Sequence, residues 1–506
     1  MGLLNSIISS TLKKRISSIE SLLENPIEVQ RNVFRNLVKT AATTEWGKKY
    51  DYKNIATVKE FSNKVPVSSY EDLFPYIERV MKGEQNILWP SPVKWFAKSS
   101  GTTNAKSKFI PVSKESLEEC HYKGGKDLCA IYLNNNPSSQ MFGGKSLAVG
   151  GALHKNFGYK DTYFGDISAV IMANLPVWAQ AVRTPGLKVA LMQEWEEKIQ
   201  KIAQITSGKD VTNISGVPTW TMVLLEKILQ LKGKDNMHEV WPSMEVFFHG
   251  AVAFHPYRDI FNKFFPEGIH YVETYNASEG FFGIQDRLKS DDMLLMLDYG
   301  IFYEFIPLDQ LDSDDPDVLT IEEVELDKNY AMVISTNAGL WRYKIGDTVK
   351  FTSLKPFRIK ISGRTKHFIN AFGEEVIIEN AETAIAKACS ATSATIRNFT
   401  AGPVVLAEKR QGRHEWIVEF STCPNSPDMF SQVLDETLKE VNSDYEAKRY
   451  KDMALQPPVI HHVPEGTFYN WMKKRGKLGG QNKVPRLANN REYIDDILTS
   501  LEKKEI

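Results

Sequence analysis

Residues 244–280, MEVFFHGAVAFHPYRDIFNKFFPEGIHYVETYNASEG, decide the fold class. "MEVFFHGA" (244–251) and "IHYVETYNASEG" (269–280) each read as an apolar strand running into a polar or glycine-containing turn. Between them "FHPYRDIFNKFF" has helical character. Two buried strands joined through a helix make a βαβ unit. A largely parallel sheet follows, with functional loops at the carboxyl ends of its strands.

Working outward, "WPSPVKWFAKSSGTTNAKSKFIPVS" reads as a strand, a polar loop and a second strand. Ahead of it, residues 5–47 carry apolar residues at helical spacing, broken at "ENPIEVQRN", where Pro26 suits a helix start. From about residue 300 the pattern turns β-rich, through "YEFIPL", "YAMVIST", "TVKFTS" and "FRIKISG". The acidic "DQLDSDDPDV" between two of these is a solvated loop. A boundary is expected near 361–368, at "ISGRTKHF". Beyond it lies a smaller α+β unit: a helix near 377–389, strands at "ATIRNFTAGPVVLAE" and "HEWIVEF", and one long amphipathic helix near 427–450.

Bulk composition narrows the function classes. At 506 residues the chain exceeds one ordinary core. Lys+Arg of 62 against Asp+Glu of 63 gives a net charge of −1, so no global field favours nucleic acid or an anionic membrane. The four cysteines lack C-x-x-C spacing and read as reduced thiols, which makes a cytoplasmic protein the expectation. No apolar run approaches the roughly 18 residues of a membrane span. Gly2 and Ser6 fit a short myristoylation pattern, but an amphipathic N-terminal helix explains the same residues. No obligate protein partner is evident.

Four loops carry the chemistry. "SSGTTNAKSK" (99–108) gathers hydroxyls and backbone N–H groups around a glycine, a concavity suited to phosphate; a ligand-free Ser/Thr turn is the structural alternative. It is not a Walker A loop: the nearest attempt, Gly144-Lys145-Ser146, has Ser139 in the place of the first glycine. "YNASEG" sets Tyr275, a face for a base, beside Ser278 and Glu279, a carboxylate suited to Mg²⁺. "LWRYKIGD" brings Asp347 behind Gly346, where a carboxylate accepts two hydrogen bonds from ribose. "GGQNKVPRL" places Lys483 in a glycine-flanked loop. Taken singly, Tyr275 reads equally as core, Asp347 as a turn residue and Lys483 as a solvated charge.

The order of these motifs, SSGTT, Y-x-x-S-E, R-Y-x-x-G-D, G-R-T-K and a C-terminal lysine, resembles the acyl-adenylate-forming, luciferase-like superfamily. Within it, "SSGTTNAKSKFIP", "YNASEGFFGI", "WRYKIGD" and "QNKVPR" are most similar to the auxin-responsive acyl acid amido synthetases of plants and their bacterial relatives. Ala105 and Lys344 stand where plant members usually have Gly and Arg.

The resemblance implies an α/β fold. Residues 1–361 would form a large adenylate-forming domain with parallel sheets and a β-rich subdomain, binding ATP and the acyl substrate. Residues 362–368 would be a hinge and 369–506 a small mobile α+β domain. It also implies ATP and Mg²⁺, a small carboxylic acid activated as acyl-AMP, and an amino-acid amine as acceptor. Ser99, Ser100, Gly101, Thr102, Thr103 and Lys108 then cradle phosphate, and Glu279 holds the metal. Tyr275 lies against the adenine, Asp347 anchors the ribose, Asn276 and Tyr343 join the nucleotide-binding set, and Ser278 meets the α-phosphate or acyl carboxylate. Lys483 meets the developing charge, Lys366 is the hinge residue, and Arg364 reaches ribose or phosphate. Position relative to these motifs makes Trp220, Phe248, His249 and Val252 the acyl-pocket walls.

Three other readings compete. An acyl-CoA ligase shares the first step. A non-catalytic nucleotide-binding homologue would keep the pocket alone, without need of Lys483. "HPYRD" (255–259) matches the H-x-x-x-D of CoA-dependent acyltransferases but leaves the four loops unexplained.

Overall fold

In the computed structural model, the structure describes residues 2–99, 108–155, 161–175, 177–251, 254, 257–311, 313, 315–364, 368–369, 371–372, 374, 376–406, 411–449, 455–479 and 483–502. The chain divides into two compact units. One comprises Met1–Val252, Phe264–Ile345 and Val349–Lys360; the other comprises Ala253–Lys263, Gly346–Thr348 and Ile361–Ile506.

The strands in chain order are β1 (Trp95–Ser99), β2 (Lys108–Val112), β3 (Lys145–Val149), β4 (Leu153–Lys155), β5 (Tyr163–Gly165) and β6 (Arg183–Thr184). β7 (Val211–Gly216), β8 (Val246–Gly250), β9 (His270–Ala277), β10 (Gly280–Ile284) and β11 (Met293–Leu295) follow. Then come β12 (Ile301–Pro307), β13 (Leu319–Thr320), β14 (Asn329–Thr336), β15 (Tyr343–Leu354) and β16 (Phe357–Arg364). β17 (Thr395–Leu406), β18 (Gln411–Thr422) and β19 (Val459–Val463) complete the set among the described residues.

A 12-stranded sheet runs β13-β12-β14-β15-β16-β11-β10-β9-β8-β7-β3-β6. Its β9-β8-β7-β3-β6 half is parallel, as the 244–280 pattern implies. The β-rich stretch after residue 300 continues that same sheet: β9 turns antiparallel into β10, with a bulge between Phe281 and Gly283. The parallel strands end in register, with Val149 opposite Gly216, Gly216 opposite His249 and Gly250 opposite Thr274. Their carboxyl ends therefore form one edge.

Upstream, the helical spacing is realised as Gly2–Lys13, Arg15–Glu24 and Pro26–Ala41, the last opened by Pro26 at its first position. Helices Val58–Lys64 and Tyr70–Met81 begin with capping boxes, Thr57 with Glu60 and Ser69 with Asp72. Among the described residues no helix is long and apolar enough to cross a membrane.

In the second unit β18 pairs antiparallel with β17 and parallel with β19. Alternation along "EWIVEF" builds two cores, one on each face. Trp416, Val418 and Phe420 pack with Phe399, Ile385, Leu434 and Leu438, while Ile417 joins Phe468, Trp471, Ile494 and Ile497. The single helix expected near 427–450 is two, Pro427–Val441 and Ser443–Arg449. Asn442 leaves helical geometry (φ −146°, ψ 106°), and its Oδ1 accepts from the backbone N of Tyr445 at 2.7 Å, starting the second helix.

Candidate active site

β1 and β2 form an antiparallel hairpin in which Ser99 lies opposite Lys108, so the two ends of the polar loop are pinned on neighbouring strands. Ser100, Gly101, Thr102 and Thr103 lie outside the described residues. Lys108 Nζ donates to Tyr343 Oη at 3.2 Å and stands 5.5 Å over the Tyr70 ring and 5.7 Å over the Tyr343 ring. Burial pushes the Tyr70 phenol up to about 12, against the hydrogen bond that it accepts from Phe109 N, so it is neutral beside the ammonium. The first and third motifs, 235 residues apart in the chain, thus meet.

The second motif closes β9. Tyr275 is buried with its ring edge-on to Phe282 at 4.8 Å. Ser278 is buried and Glu279 half-buried, both in the turn between β9 and β10. Asn276 Oδ1 accepts a hydrogen bond from His121 Nδ1 at 3.1 Å. Sequence reading passed over His121, which sits in "EECHYKGG" with no motif around it; only the fold brings it to Asn276.

Burial pulls the His121 pKa from 6.5 to about 4, outweighing the opposing hydrogen bond to Asn276, so the ring is neutral near pH 7. Between those two values the unfolded chain binds a proton that the folded chain refuses. Stability therefore falls as pH drops below 6.5 and the loss levels off below about 4. The group accounts for about 3 kcal/mol across that window. Urea titrations between about pH 7 and pH 4 should show this component missing in His121→Phe. An unchanged slope in that variant would refute it.

Asp347 lies within β15 directly after Gly346, whose φ of +91° is the left-handed region that glycine tolerates. It is half-buried, and the strand there is tied to β16 by Ser362 Oγ on Thr348 Oγ1 at 3.0 Å. Arg364 ends β16; its side chain, like Lys366, lies outside the described residues. Lys483 is half-buried at the start of a segment that is laid along β17.

Of the expected pocket walls, Trp220 stands in the first turn of helix Pro218–Lys232, edge-on to Trp195 at 4.9 Å. Phe248 meets Tyr132 at 5.7 Å. His249, the next strand residue, points to the opposite face of the sheet, so the two do not line one face together. Val252 lies outside the described residues, and Ala251 before it holds φ +74°, a strain of about 1 kcal/mol at the carboxyl end of β8. From helix Trp195–Thr206, buried Lys198 donates to two carbonyls of the loop after β3, Gly150 at 2.7 Å and Gly151 at 2.8 Å.

With its 12-stranded mixed sheet and a second α+β unit, the chain has the fold of adenylate-forming ligases. Among solved structures, the GH3.15 acyl acid amido synthetase superposes with a TM-score of 0.78 at 17% identity, covering 96% of each chain. A 2-hydroxyisobutyryl-CoA ligase in its postadenylation state gives 0.60 at 11% identity, covering 94% of this chain and 91% of that one. The chain belongs to the GH3 family: residues 15–269 match its N-terminal domain, 294–364 its central domain and 379–492 its C-terminal domain. With that membership it is a carbon–nitrogen ligase. The indole-3-acetic acid-amido synthetase GH3.3 of Arabidopsis thaliana is 24% identical, over 94% of this chain and 92% of its own. The 4-substituted benzoates-glutamate ligase GH3.12 of the same plant is 23% identical, over 98% of both chains.

Proposed function

We propose that this protein is an ATP- and Mg²⁺-dependent acyl-acid amido synthetase that activates a small carboxylic acid as acyl-AMP and transfers the acyl group to an amino-acid amine. The observation that carries this reading is the Lys108–Tyr343 contact, because it joins the first residue after the hydroxyl loop to the start of the nucleotide motif on β15.

In the first half-reaction a carboxylate oxygen attacks the α-phosphorus of ATP. A C(O)–O–P bond forms and the bond to pyrophosphate breaks. In the second, the amine nitrogen attacks the acyl carbon, the C–O bond breaks, AMP leaves and the ammonium proton is lost. Thr102 and Thr103 hold the triphosphate, Ser99, Ser100, Gly101 and Lys108 frame it, and Tyr275 and Asn276 position the adenine. Asp347 with Tyr343 holds the ribose, and Ser278 meets the α-phosphate. Glu279, a hard carboxylate donor in the turn between β9 and β10, would hold Mg²⁺ shared with substrate phosphates, and the ion would supply charge neutralisation as pyrophosphate leaves. Lys483 opposes the charge that develops between carboxylate and α-phosphate. Residues 1–361 bind ATP and acid, 362–368 with Arg364 and Lys366 form the hinge, and 369–506 move between half-reactions. Of the acyl-pocket candidates Trp220, Phe248, His249 and Val252, Phe248 and His249 stand on opposite faces of β8, so at most one of that pair borders the acyl group.

The test is ATP–pyrophosphate exchange across a panel of aromatic and aliphatic carboxylic acids. Exchange should depend on both acid and Mg²⁺, rising at least about tenfold over the no-acid rate with a preferred acid. Product analysis with amino acids or CoA then identifies the acceptor; a thioester product would replace amide formation by the acyl-CoA ligase reading. Tight ATP binding with no exchange for any acid would leave a nucleotide binder and sink the proposal.

A further inference from the structure

The sequence "NKVPR" ends in a side chain that the chemistry above does not use. Arg486 lies three residues after Lys483 and is buried, with 7% of its surface exposed. Its Nη1 donates to Asn398 Oδ1 at 3.1 Å and to the carbonyl of Phe399 at 3.2 Å. Its Nη2 donates to the hydroxyl of Tyr257. The guanidinium stands 4.6 Å over the Phe399 ring and 5.7 Å over that of Tyr257. No carboxylate pairs with it among the described residues, and its Nε has no hydrogen-bond partner. Burying a guanidinium against neutral oxygens and two rings is costly, and nothing in a three-stranded sheet demands it.

What the arrangement does is fix a path. The backbone around Arg486 is stitched to β17: Ala401 N donates to Arg486 O at 2.9 Å and Ala488 N donates to Ala401 O at 3.0 Å. A Cβ at Gly402 would stand 2.7 Å from Asn490 O, so the segment presses directly on the strand. Tyr257, buried just before helix Arg258–Phe264, belongs to the same compact unit and braces the guanidinium from the far side. Pro485 stiffens the link between the anchor and Val484–Lys483. Three extended residues span only about 10 Å, so an error at the anchor is passed to the lysine nearly undiminished.

Resting on the role given to Lys483, we infer that Arg486, braced by Tyr257, Asn398 and Phe399, is a positioning residue that sets where the Lys483 ammonium stands for adenylation. It touches no substrate and acts only through Lys483. Arg486→Met removes the fork, and Arg486→Lys keeps the charge but not the planar donors. A displacement of about 1 Å costs up to 10²-fold when a reacting group is misplaced.

The experiment is a double-mutant cycle on acid-dependent pyrophosphate exchange, using Arg486→Met, Arg486→Lys, Lys483→Ala and the Arg486→Met/Lys483→Ala pair in the full chain. Aminolysis of supplied acyl-AMP is measured alongside. Arg486→Met should lower the exchange kcat about 10–100-fold with KM for ATP and acid little changed, and Arg486→Lys should recover part of it. In the Lys483→Ala background the same substitution should change exchange less than about twofold. Aminolysis should survive, which a merely unfolded domain would not allow. Should Arg486→Met fold poorly, Tyr257→Phe, which removes one hydroxyl, is expected to give a smaller loss in the same pattern. An equal drop in both backgrounds, or a drop in aminolysis as large as in exchange, would overturn the positioning role. So would a silent Arg486→Met beside an impaired Lys483→Ala. If Lys483→Ala is itself silent, the assignment of Lys483 fails first and the positioning role falls with it.

Discussion

Lys483→Ala is expected to lower acid-dependent ATP–pyrophosphate exchange about 10²–10³-fold, equivalent to roughly 3–4 kcal/mol of barrier. Two anions approach each other in this half-reaction, a carboxylate and a triphosphate, and the attacking and leaving oxygens both carry charge as the α-phosphorus is transferred. A cation that meets the bridging charge only in that geometry lowers the barrier without tightening the ground state. The loss should therefore appear in kcat, with KM for ATP changing less than about threefold. The second half-reaction has a different charge history: AMP leaves and no pyrophosphate charge builds. Aminolysis of preformed acyl-AMP by Lys483→Ala should stay within about threefold of wild type. Single-turnover measurement of both steps decides the matter. An equal fall in both would mean that Lys483 supports the domain rather than the adenylation step; a wild-type exchange rate would remove it from the chemistry.

The parts of this molecule that were legible in its sequence are those that local patterning controls. β8 and the centre of "EWIVEF" announced themselves because a strand covered on both faces is a short apolar run. The break at Asn442 was not legible. The apolar face continues across it, through Leu434 and Leu438 to Tyr445, and the decision rests on one side-chain amide that caps the next turn. Long-range pairings were hidden for the same reason. Nothing near His121 in the chain points to Asn276, 155 residues away, and nothing near Arg486 points to Tyr257. Motif order suggested that Lys108 and Tyr343 serve one site, but their contact depends on the β1–β2 hairpin and on the start of β15 lying in the same unit.

Arg342→Met should destabilise the first unit by about 3–5 kcal/mol, more than truncation of most single side chains in the chain. Arg342 and Glu304 are almost wholly buried, at 3% and 1% exposure. Arg342 Nε donates to both Glu304 oxygens, at 3.1 and 3.0 Å, and its Nη1 donates to the carbonyls of Ser62 and Val65 at 3.1 and 2.7 Å. Burial pushes the Glu304 carboxyl above its usual range while the guanidinium opposes it, so removing the guanidinium leaves an acid that must either stay charged without a partner or take up a proton. Because Arg342 already holds φ +43°, a substituted side chain inherits the same backbone strain and the comparison isolates the charge. The accompanying Glu304→Leu/Arg342→Met pair should be less destabilised than Arg342→Met alone, although the Ser62 and Val65 carbonyls still lose their donor, at about 1–3 kcal/mol. Urea midpoints at near-neutral pH give both numbers. A single variant within about 1 kcal/mol of wild type, or a double variant worse than the single, would contradict the account. The consequence reaches the site because Arg342 precedes Tyr343, and Ser68 holds both sides of it: Ser68 N donates to Arg342 O at 2.8 Å and Lys344 N donates to Ser68 O at 2.9 Å. Loosening the pair frees the strand start on which Tyr343 meets Lys108, so ATP-dependent exchange should weaken in Arg342→Met at temperatures where the fold itself persists.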